Sequence, residues 1–329
     1  MKISTEDGHN LVSSALQKIG YTPESTKIIA DHLIDSELRG YGVAGLARAL
    51  SIADRLAGKP PAQTTKTTRS APATAQIDGQ DTLGYLVAYE ATQVAIAKAK
   101  SNGVSAVGAS GTWYTGMLSY YAEMAAKEDL VAIIASNCTA WVAPEGGYRP
   151  IFGTNPWCVG FPTGDGQPPV IYDIGTSKIL HADVLLANRL GRELPPDSVF
   201  DKDGNDTVSP QDALSGALKV WGGHRGSGLA ITVQLLGVMA GSAAFPPDLA
   251  GFGYMIVMVD PAQFRPIEEF KAEVDAFSKA MREGPALDKG KKLRMPFERS
   301  FGIREEGRNR GEFEVEDGVV ERLKKLIDG

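Results

Sequence analysis

Cysteine and histidine are both scarce in this 329-residue chain, which has two cysteines (Cys138 and Cys158) and four histidines (His9, His32, His181 and His224). Two cysteines cannot frame a disulfide scaffold or supply a four-ligand zinc site. Histidine is too thinly spread to build a metal centre from side chains near in sequence, so metal catalysis is not expected. No run of about 18 to 20 apolar residues occurs, which excludes a membrane-spanning helix. Positive charge is not in excess: 34 Lys+Arg stand against 40 Asp+Glu, a net charge of −6. That leaves no basic footprint for nucleic acid or an anionic membrane. The first residues, Met1 to Gly8, lack the apolar region of a secretory signal. Also missing are G-x-G-x-x-G opening a helix after the first strand, G-x-x-x-x-G-K-[ST], H-E-x-x-H, C-x-x-C and G-x-S-x-G, so standard Rossmann, P-loop, zincin and hydrolase readings lack support. The expectation is a soluble cytoplasmic protein acting on a small molecule.

What is present is ordinary globular composition, 43% hydrophobic and 22% charged, in a chain long enough for two or three compact units. The first 58 residues read as helices. Leu11, Leu16 and Ile19, then Ile28, Ile29, Leu33, Ile34 and Leu38, recur near the helical period. Thr22-Pro23-Glu24 is a helix start, with a capping hydroxyl, a proline at the first position and an acid in the first turn. A Pro/Thr-rich stretch, Lys59 to Ser70, reads as a linker into strands. Mixed α/β structure follows. An alanine-rich helix spans Leu83 to Lys100, closed by Asn102-Gly103. Strand-like runs lie at Val104–Val107, Val131–Ser136, Trp157–Phe161, Val170–Asp173 and Gly253–Val259. Helical runs lie at Gly116–Lys127, Ser177–Leu190, Leu229–Met239, Ile267–Met281 and Val319–Ile327. His9 and His32, in the helical N-terminal region, read as solvent-facing or packing residues.

Four glycine-rich or polar segments carry candidate chemistry: Ser110 to Gly116 as a loop between strand and helix, Pro144 to Pro156, Tyr172-Asp173-Ile174-Gly175-Thr176-Ser177, and Trp221 to Gly228 before a helix. Small residues let backbone N–H groups approach a ligand, and a helix N-terminus favours phosphate. Arg225 would add charge-assisted contacts. Any one segment alone reads more readily as a tight turn; four together fit that reading less well.

Taken in order, LRGYGVAGLAR (38–48), VAPEGGYRPIFGTNP (142–156), YDIGTS (172–177), GGHRGSGLA (222–230) and MPFERS (295–300) resemble the malate/L-lactate dehydrogenase family, whose fold is unrelated to the Rossmann dehydrogenases. The family includes ureidoglycolate dehydrogenase, sulfolactate dehydrogenase, 2,3-diketogulonate reductase and Δ1-piperideine-2-carboxylate/Δ1-pyrroline-2-carboxylate reductase. The resemblance implies an α/β fold in which a large cofactor-binding domain with a mixed, largely antiparallel sheet (residues 67–295) joins a discontinuous helical domain (1–66 with 296–329). It also implies a homodimer with the cofactor, NAD or NADP, near the interface. Carried over by position, the cofactor would touch Cys138, Asp173, Ile174, Gly175, Thr176, Ser177, His224, Arg225, Phe297, Glu298 and Arg299. Arg48 would hold the substrate carboxylate, a task suited to a bidentate guanidinium. Its bland alternative is an arginine on a helix surface.

Two family histidines have no counterpart here. Where relatives carry Ser-His-Gly this chain reads Val43-Ala44-Gly45, and where they carry His-Phe-Gly it reads Tyr114-Thr115-Gly116. Reducing a 2-oxo acid needs hydride at carbon and a proton at oxygen, and histidine suits both directions. Three readings follow. An imine reductase could receive its substrate already protonated as iminium, with Arg48 on the carboxylate and Asp173 or Tyr114 stabilising the cation or positioning water. A 2-oxo or 2-hydroxy acid oxidoreductase would use Tyr114 as acid/base, helped by Lys178 or His181. A third possibility keeps the fold and the cofactor without turnover. The favoured donor is NADPH. His181 reads as a helix-surface histidine rather than a site residue, Cys138 as a small thiol needing no catalytic role, and Lys178 as either a phosphate contact or a solvated side chain.

Overall fold

A computed structural model describes residues 1–288 and 290–329. The N-terminal strand β1 (Lys2–Ser4) leads into α1 (Thr5–Ile19), α2 (Pro23–Leu38) and α3 (Ala47–Leu56). Ser4 caps α1 by accepting from the Asp7 N–H, and Thr22 caps α2 through the Ser25 N–H with Pro23 at its first position. Inward residues of these helices, among them Val12, Leu16, Ile29, Leu33, Leu46 and Ile52, form one core.

Strands β2 (Lys66–Ser70) and β3 (Thr74–Leu83), helix α4 (Gly84–Asn102), strand β4 (Val104–Trp113), helix α5 (Leu118–Ala126) and strand β5 (Val131–Ser136) follow. Gly103, at φ +78°, ends α4 by donating its N–H to Ala99. The short β6 (Val142–Ala143) precedes β7 (Trp157–Phe161) and β8 (Val170–Ile174), and then come α6 (His181–Leu190), β9 (Val199–Phe200), β10 (Asp206–Thr207), α7 (Pro210–Ser215) and β11 (Ala217–Lys219). Helix α8 (His224–Met239), β12 (Phe252–Val259), α9 (Ile267–Glu283), α10 (Glu298–Arg310), β13 (Glu312–Glu314) and α11 (Asp317–Asp328) complete the chain.

The main sheet has seven strands in the order β2-β3-β4-β12-β5-β7-β8. Every adjacent pair is antiparallel except β3 and β4, which α4 connects. This is an α/β fold with a mixed, largely antiparallel sheet. Helices α4 and α5 cover it with small buried residues, Ala88, Ala91, Ala95, Ala122 and Ala125, against Ile77, Val107, Ile134 and Ile256. A second sheet, β10-β9-β11-β6, packs under α6 and α7. The C-terminal segment returns to the N-terminal helices. Strand β13 pairs with β1, and Val320 and Leu323 of α11 enter the same core as α1 to α3. On that packing we propose the division into residues 1–66 with 296–329 and residues 67–295.

A buried ionic cluster joins these parts. Arg39 at the end of α2 reaches Asp35 at 2.6 Å and Glu123 of α5, and Arg304 of α10 donates to Asp35 at 3.0 Å and to both Glu123 oxygens at 2.7 and 3.0 Å. Burial alone would push Glu123 up, but the Arg304 hydrogen bonds and the charges of Arg39 and Arg304 hold it at about 2.

Several sequence expectations change: Lys66–Ser70 of the expected linker form strand β2, and α8 begins at His224, so His224 to Gly228 lie inside the helix they were read as preceding. Ser110 to Trp113 continue β4 rather than forming a loop, because they keep pairing with β3 and β12. The helix read from Ser177 begins only at His181, because Ser177 bridges Val220 and Thr176 is tied to Thr154.

Candidate active site

The residues that matter meet where α3, α4, α5, β8 and α6 converge. A one-turn 3-10 helix, Gly42–Ala44, precedes α3. Glu37 pins this turn by accepting the Leu46 N–H at 2.7 Å, and a Cβ at Gly45 would lie 2.3 Å from the Glu37 carboxyl, so a larger residue there would displace the Glu37 side chain. The turn presents Val43 and Ala44, and the first turn of α3 presents Arg48, to a cavity of about 300 Å³. The Arg48 guanidinium stacks 4.4 Å from the centroid of the Tyr114 ring and lies beside Tyr85. Among the described residues it has no carboxylate partner. Burial raises the pKa of both tyrosines against the pull of Arg48, so both stay protonated at neutral pH.

Asp173, near the end of β8, faces the same cavity. It accepts the Ser119 N–H at 2.7 Å and thus caps the N-terminus of α5, whose own N-cap residue Met117 supplies no side-chain bond. Burial raises its carboxyl to about 6, against the Ser119 hydrogen bond and the charge of Arg39. Cys138, Gly175 and Phe297 also line the cavity. The Cys138 Sγ sits 3.7 Å from the Thr154 hydroxyl, and burial pushes the thiol up, so it is no nucleophile. Phe297 caps α10 from a left-handed backbone, φ +66°, and packs on Tyr41 and Arg39.

Other sequence candidates lie elsewhere. Ile174, Thr176, Ser177, His224, Arg225, Glu298 and Arg299 are not part of the cavity wall. The Thr176 N–H and hydroxyl both donate to Thr154 O, and the Ser177 hydroxyl donates to Ile179 O, so their donor hydrogens hold the chain. Glu298 accepts from Arg282 Nε at 2.7 Å and from the Met295 N–H at 2.8 Å. Arg299 is exposed. Lys178 is tied to Asp197 at 2.6 Å.

His181 is a correction. As the first residue of α6 it does not face solvent but lines the cavity, its ring stacked on Trp141 at 3.9 Å and 5°. Burial and the Arg48 charge lower it to about 4, so it is neutral. His32 is a packing residue, stacked on Tyr120 and set edge-on to Tyr85, where burial lowers it to about 3 and its Nε2 accepts the Met117 N–H at 3.0 Å. Among the described residues no metal-binding group of His, Cys, Asp or Glu is present. Sequence reasoning missed Tyr85, Trp141 and Leu185 as wall residues, while Thr154 lies in a segment already singled out. Trp141 directly precedes a glycine-rich segment already singled out, which was the available signal.

The residues present fit a nicotinamide cofactor. At the N-terminus of α8 Gly223 supplies no side-chain capping bond, Gly222 and Gly223 have φ of +62° and +59°, the Glu145 carboxylate lies beside Gly223, and His224 and Arg225 are exposed, with no ion-pair partner among the described residues. The backbone N–H groups and the two exposed basic side chains there would accept a cofactor phosphate once the exposed Glu145 side chain turns away. Trp221 Nε1 donates to Gly175 O at 2.5 Å, which ties the loop before α8 to the cavity wall.

Comparison with known proteins agrees with this architecture. The malate/L-lactate dehydrogenase profile matches residues 3–324. The malate/(S)-sulfolactate dehydrogenase of Methanothermus fervidus is 31% identical over 100% of this chain and 98% of its own length. The Δ1-pyrroline-2-carboxylate reductase 1 of Burkholderia ambifaria is 34% identical over 64% of this chain and 63% of its own. A crystal structure of a dehydrogenase from Sinorhizobium meliloti superposes with a TM-score of 0.92 at 27% identity, covering 99% of this chain and 98% of that one. Fold and relatives together define a nicotinamide-dependent oxidoreductase of the dehydrogenase/reductase type. The chain belongs to the malate/L-lactate dehydrogenase family. Among the described residues no helix is long and apolar enough to cross a membrane.

Proposed function

We propose that this chain is an NAD(P)H-dependent reductase of a small α-carboxylate imine, such as Δ1-piperideine-2-carboxylate or Δ1-pyrroline-2-carboxylate. The observation that supports this reading is that Arg48 and Asp173 both line one largely apolar cavity. A protonated cyclic imine with an α-carboxylate has the same two charges in reverse. When bound, the nicotinamide supplies the hydride. Arg48 holds the carboxylate, Asp173 above pH 6 balances the iminium nitrogen, and Tyr85, Tyr114, Trp141 and Phe297 shield the pair from water. An iminium needs no further proton at nitrogen to become the amine; Ala44 offers no base, His181 is lowered to about 4 and Tyr114 is held protonated, which leaves Asp173, raised to about 6, as the group in the cavity wall that changes charge nearest pH 7.

One observation favours a second reading. Tyr114 remains a neutral donor beside Arg48, as reduction of a 2-oxo acid would require. We also favour NADPH as the donor, and a homodimer with the cofactor near its interface. The dimer is supported by the outward stripe of α8, where Ile231, Leu235, Val238 and Met239 are exposed together with nearby Phe245. The site residues proposed for the cofactor outside the cavity are His224 and Arg225.

The deciding experiment follows NADH and NADPH absorbance with two panels: Δ1-piperideine-2-carboxylate, Δ1-pyrroline-2-carboxylate and pyruvate with methylamine, against pyruvate, oxaloacetate and longer 2-oxo acids alone. Turnover confined to the first panel is expected. Faster turnover of the bare 2-oxo acids would establish the Tyr114 reading instead.

A further inference from the structure

Glu37, near the end of α2, is buried and makes no ion pair among the described residues. Its carboxyl reaches both sides of the 3-10 turn. Oε1 accepts the Leu46 N–H at 2.7 Å, and Oε2 faces Gly42, where a Cβ would lie 3.4 Å away. Leu46, the N-cap residue of α3, has no side-chain capping bond of its own, so Glu37 satisfies that N–H from another helix. The link to the site is short. Gly45, against the same carboxyl, accepts the Arg48 N–H on its carbonyl at 2.9 Å, and Val43 and Ala44 of the turn are cavity wall. Leu46, Ala49 and Ile52 anchor the body of α3 in the N-terminal core, which leaves the turn before them as the part whose side-chain hold is Glu37.

An ionised Glu37 is poorly served in this place. The site gives it one N–H, and burial outweighs that bond, so the carboxyl titrates at about 7. The outer cleft of about 810 Å³, which Glu37 and Arg48 both line, gives an ionised carboxylate access to water. The other charged groups around Glu37 are engaged elsewhere or carry its own sign. Arg39 turns to Asp35 at 2.6 Å, the Met1 amine to Asp317 at 2.5 Å, Lys2 to Glu312 at 2.7 Å and Arg189 to Asp54 at 3.3 Å. Glu314 and Glu316 add negative charge to the cleft, and His181 is neutral.

We propose that Glu37 is a positioning residue for Arg48: protonated, it holds the turn and with it the carboxylate-binding arginine; ionised, it swings toward the outer cleft, loosens the turn and weakens that grip. Its charge, in a cleft that Arg48 also lines, opposes an incoming carboxylate in the same direction. By linkage, carboxylate binding favours the protonated form to the same extent.

The inference rests on Arg48 as the carboxylate anchor in the reading above, and the test separates the two. Calorimetry follows 2-furoate, a flat α-carboxylate with no other titrating group, binding to the NADPH-loaded protein from about pH 6 to about pH 8.5. The parent is expected to lose about 10-fold in affinity over that range. Glu37→Gln keeps an oxygen for the Leu46 N–H without the charge, and should hold the parent's low-pH affinity throughout. Gly45→Ala, whose methyl displaces the Glu37 carboxyl, should bind at every pH as weakly as the parent does at the alkaline end. Asp173, at about 6, titrates earlier and is present in all three proteins, so the difference between parent and Glu37→Gln isolates Glu37. A parent whose affinity is flat above pH 7, or a Glu37→Gln variant that follows the parent's curve, would overturn the positioning role and leave Arg48 as the anchor. So would Gly45→Ala binding as the parent does at both ends of the range, which keeps the test decisive if Glu37→Gln does not fold. No binding of 2-furoate by the parent, or binding that survives Arg48→Ala, would overturn both.

Discussion

The Arg48 guanidinium lies 4.4 Å from the centroid of the Tyr114 ring, and Tyr114 presents that ring from a left-handed backbone at φ +53°. A non-glycine residue held there is strained, and strain of this kind collects at functional sites. The ring fixes one face of the guanidinium while its edge keeps N–H donors for a carboxylate.

Arg48→Ala is therefore expected to raise KM for the carboxylate substrate by the equivalent of roughly 2 to 4 kcal/mol, with nicotinamide affinity unchanged. Arg48→Lys should restore little, because an ammonium lacks the planar fork. Steady-state kinetics and a cofactor fluorescence titration measure both. An unaltered kcat/KM would remove Arg48 from the site.

Tyr114→Phe keeps the ring under Arg48 and deletes only the hydroxyl. Imine reduction should stay within about 5-fold of the parent. A loss of roughly 10²-fold or more would identify the hydroxyl as an acid.

Glu37 links stability to pH. Burial raises its carboxyl from 4.5 to about 7, against the Leu46 hydrogen bond. A pKa raised on folding gives stability that is full below the unfolded value and lost as pH rises through the folded one. The loss therefore falls between about pH 4.5 and 7 and amounts to about 3 kcal/mol. Glu37→Gln should melt higher than the parent at pH 8 than it does, relative to the parent, at pH 5. Parallel pH dependence of the two melting temperatures would contradict this.

Glu123 works with the opposite sign. Its carboxyl is held at about 2, so its contribution is present above about pH 4.5 and lost as pH falls through 2. Glu123→Gln leaves Arg39 and Arg304 short of a partner and should cost roughly 3 to 5 kcal/mol near pH 7. Denaturant unfolding measures the loss, which should shrink in acid.

Much of this fold was legible locally. Ser4 and Thr22 cap the helices they precede, Gly103 ends α4, and the apolar runs at Val131–Ser136 and Trp157–Phe161 are strands with those bounds. These features depend on neighbours in sequence. The small sheet was not legible, because β6, β9 and β10 are two residues each and exist only through partners far along the chain. His181 looked like a surface residue because its helix periodicity says nothing of Trp141, forty residues earlier, on which it stacks. Arg48, Tyr114 and Asp173 were named from the sequence, and the structure brings them to one cavity. Thr176, Ser177 and Glu298 were named with them, yet their polar groups are spent on internal bonds that no spacing rule reveals.

The central claim is that Asp173 balances a protonated imine whose carboxylate Arg48 holds. The most direct measurement is kcat/KM for Δ1-piperideine-2-carboxylate in the parent and in Asp173→Asn, with the NADPH dissociation constant of each. The account predicts that the parent reduces the imine and that the variant loses about 10²-fold or more with its NADPH affinity unchanged. A parent inactive on the imine, or a variant as active as the parent, would contradict it.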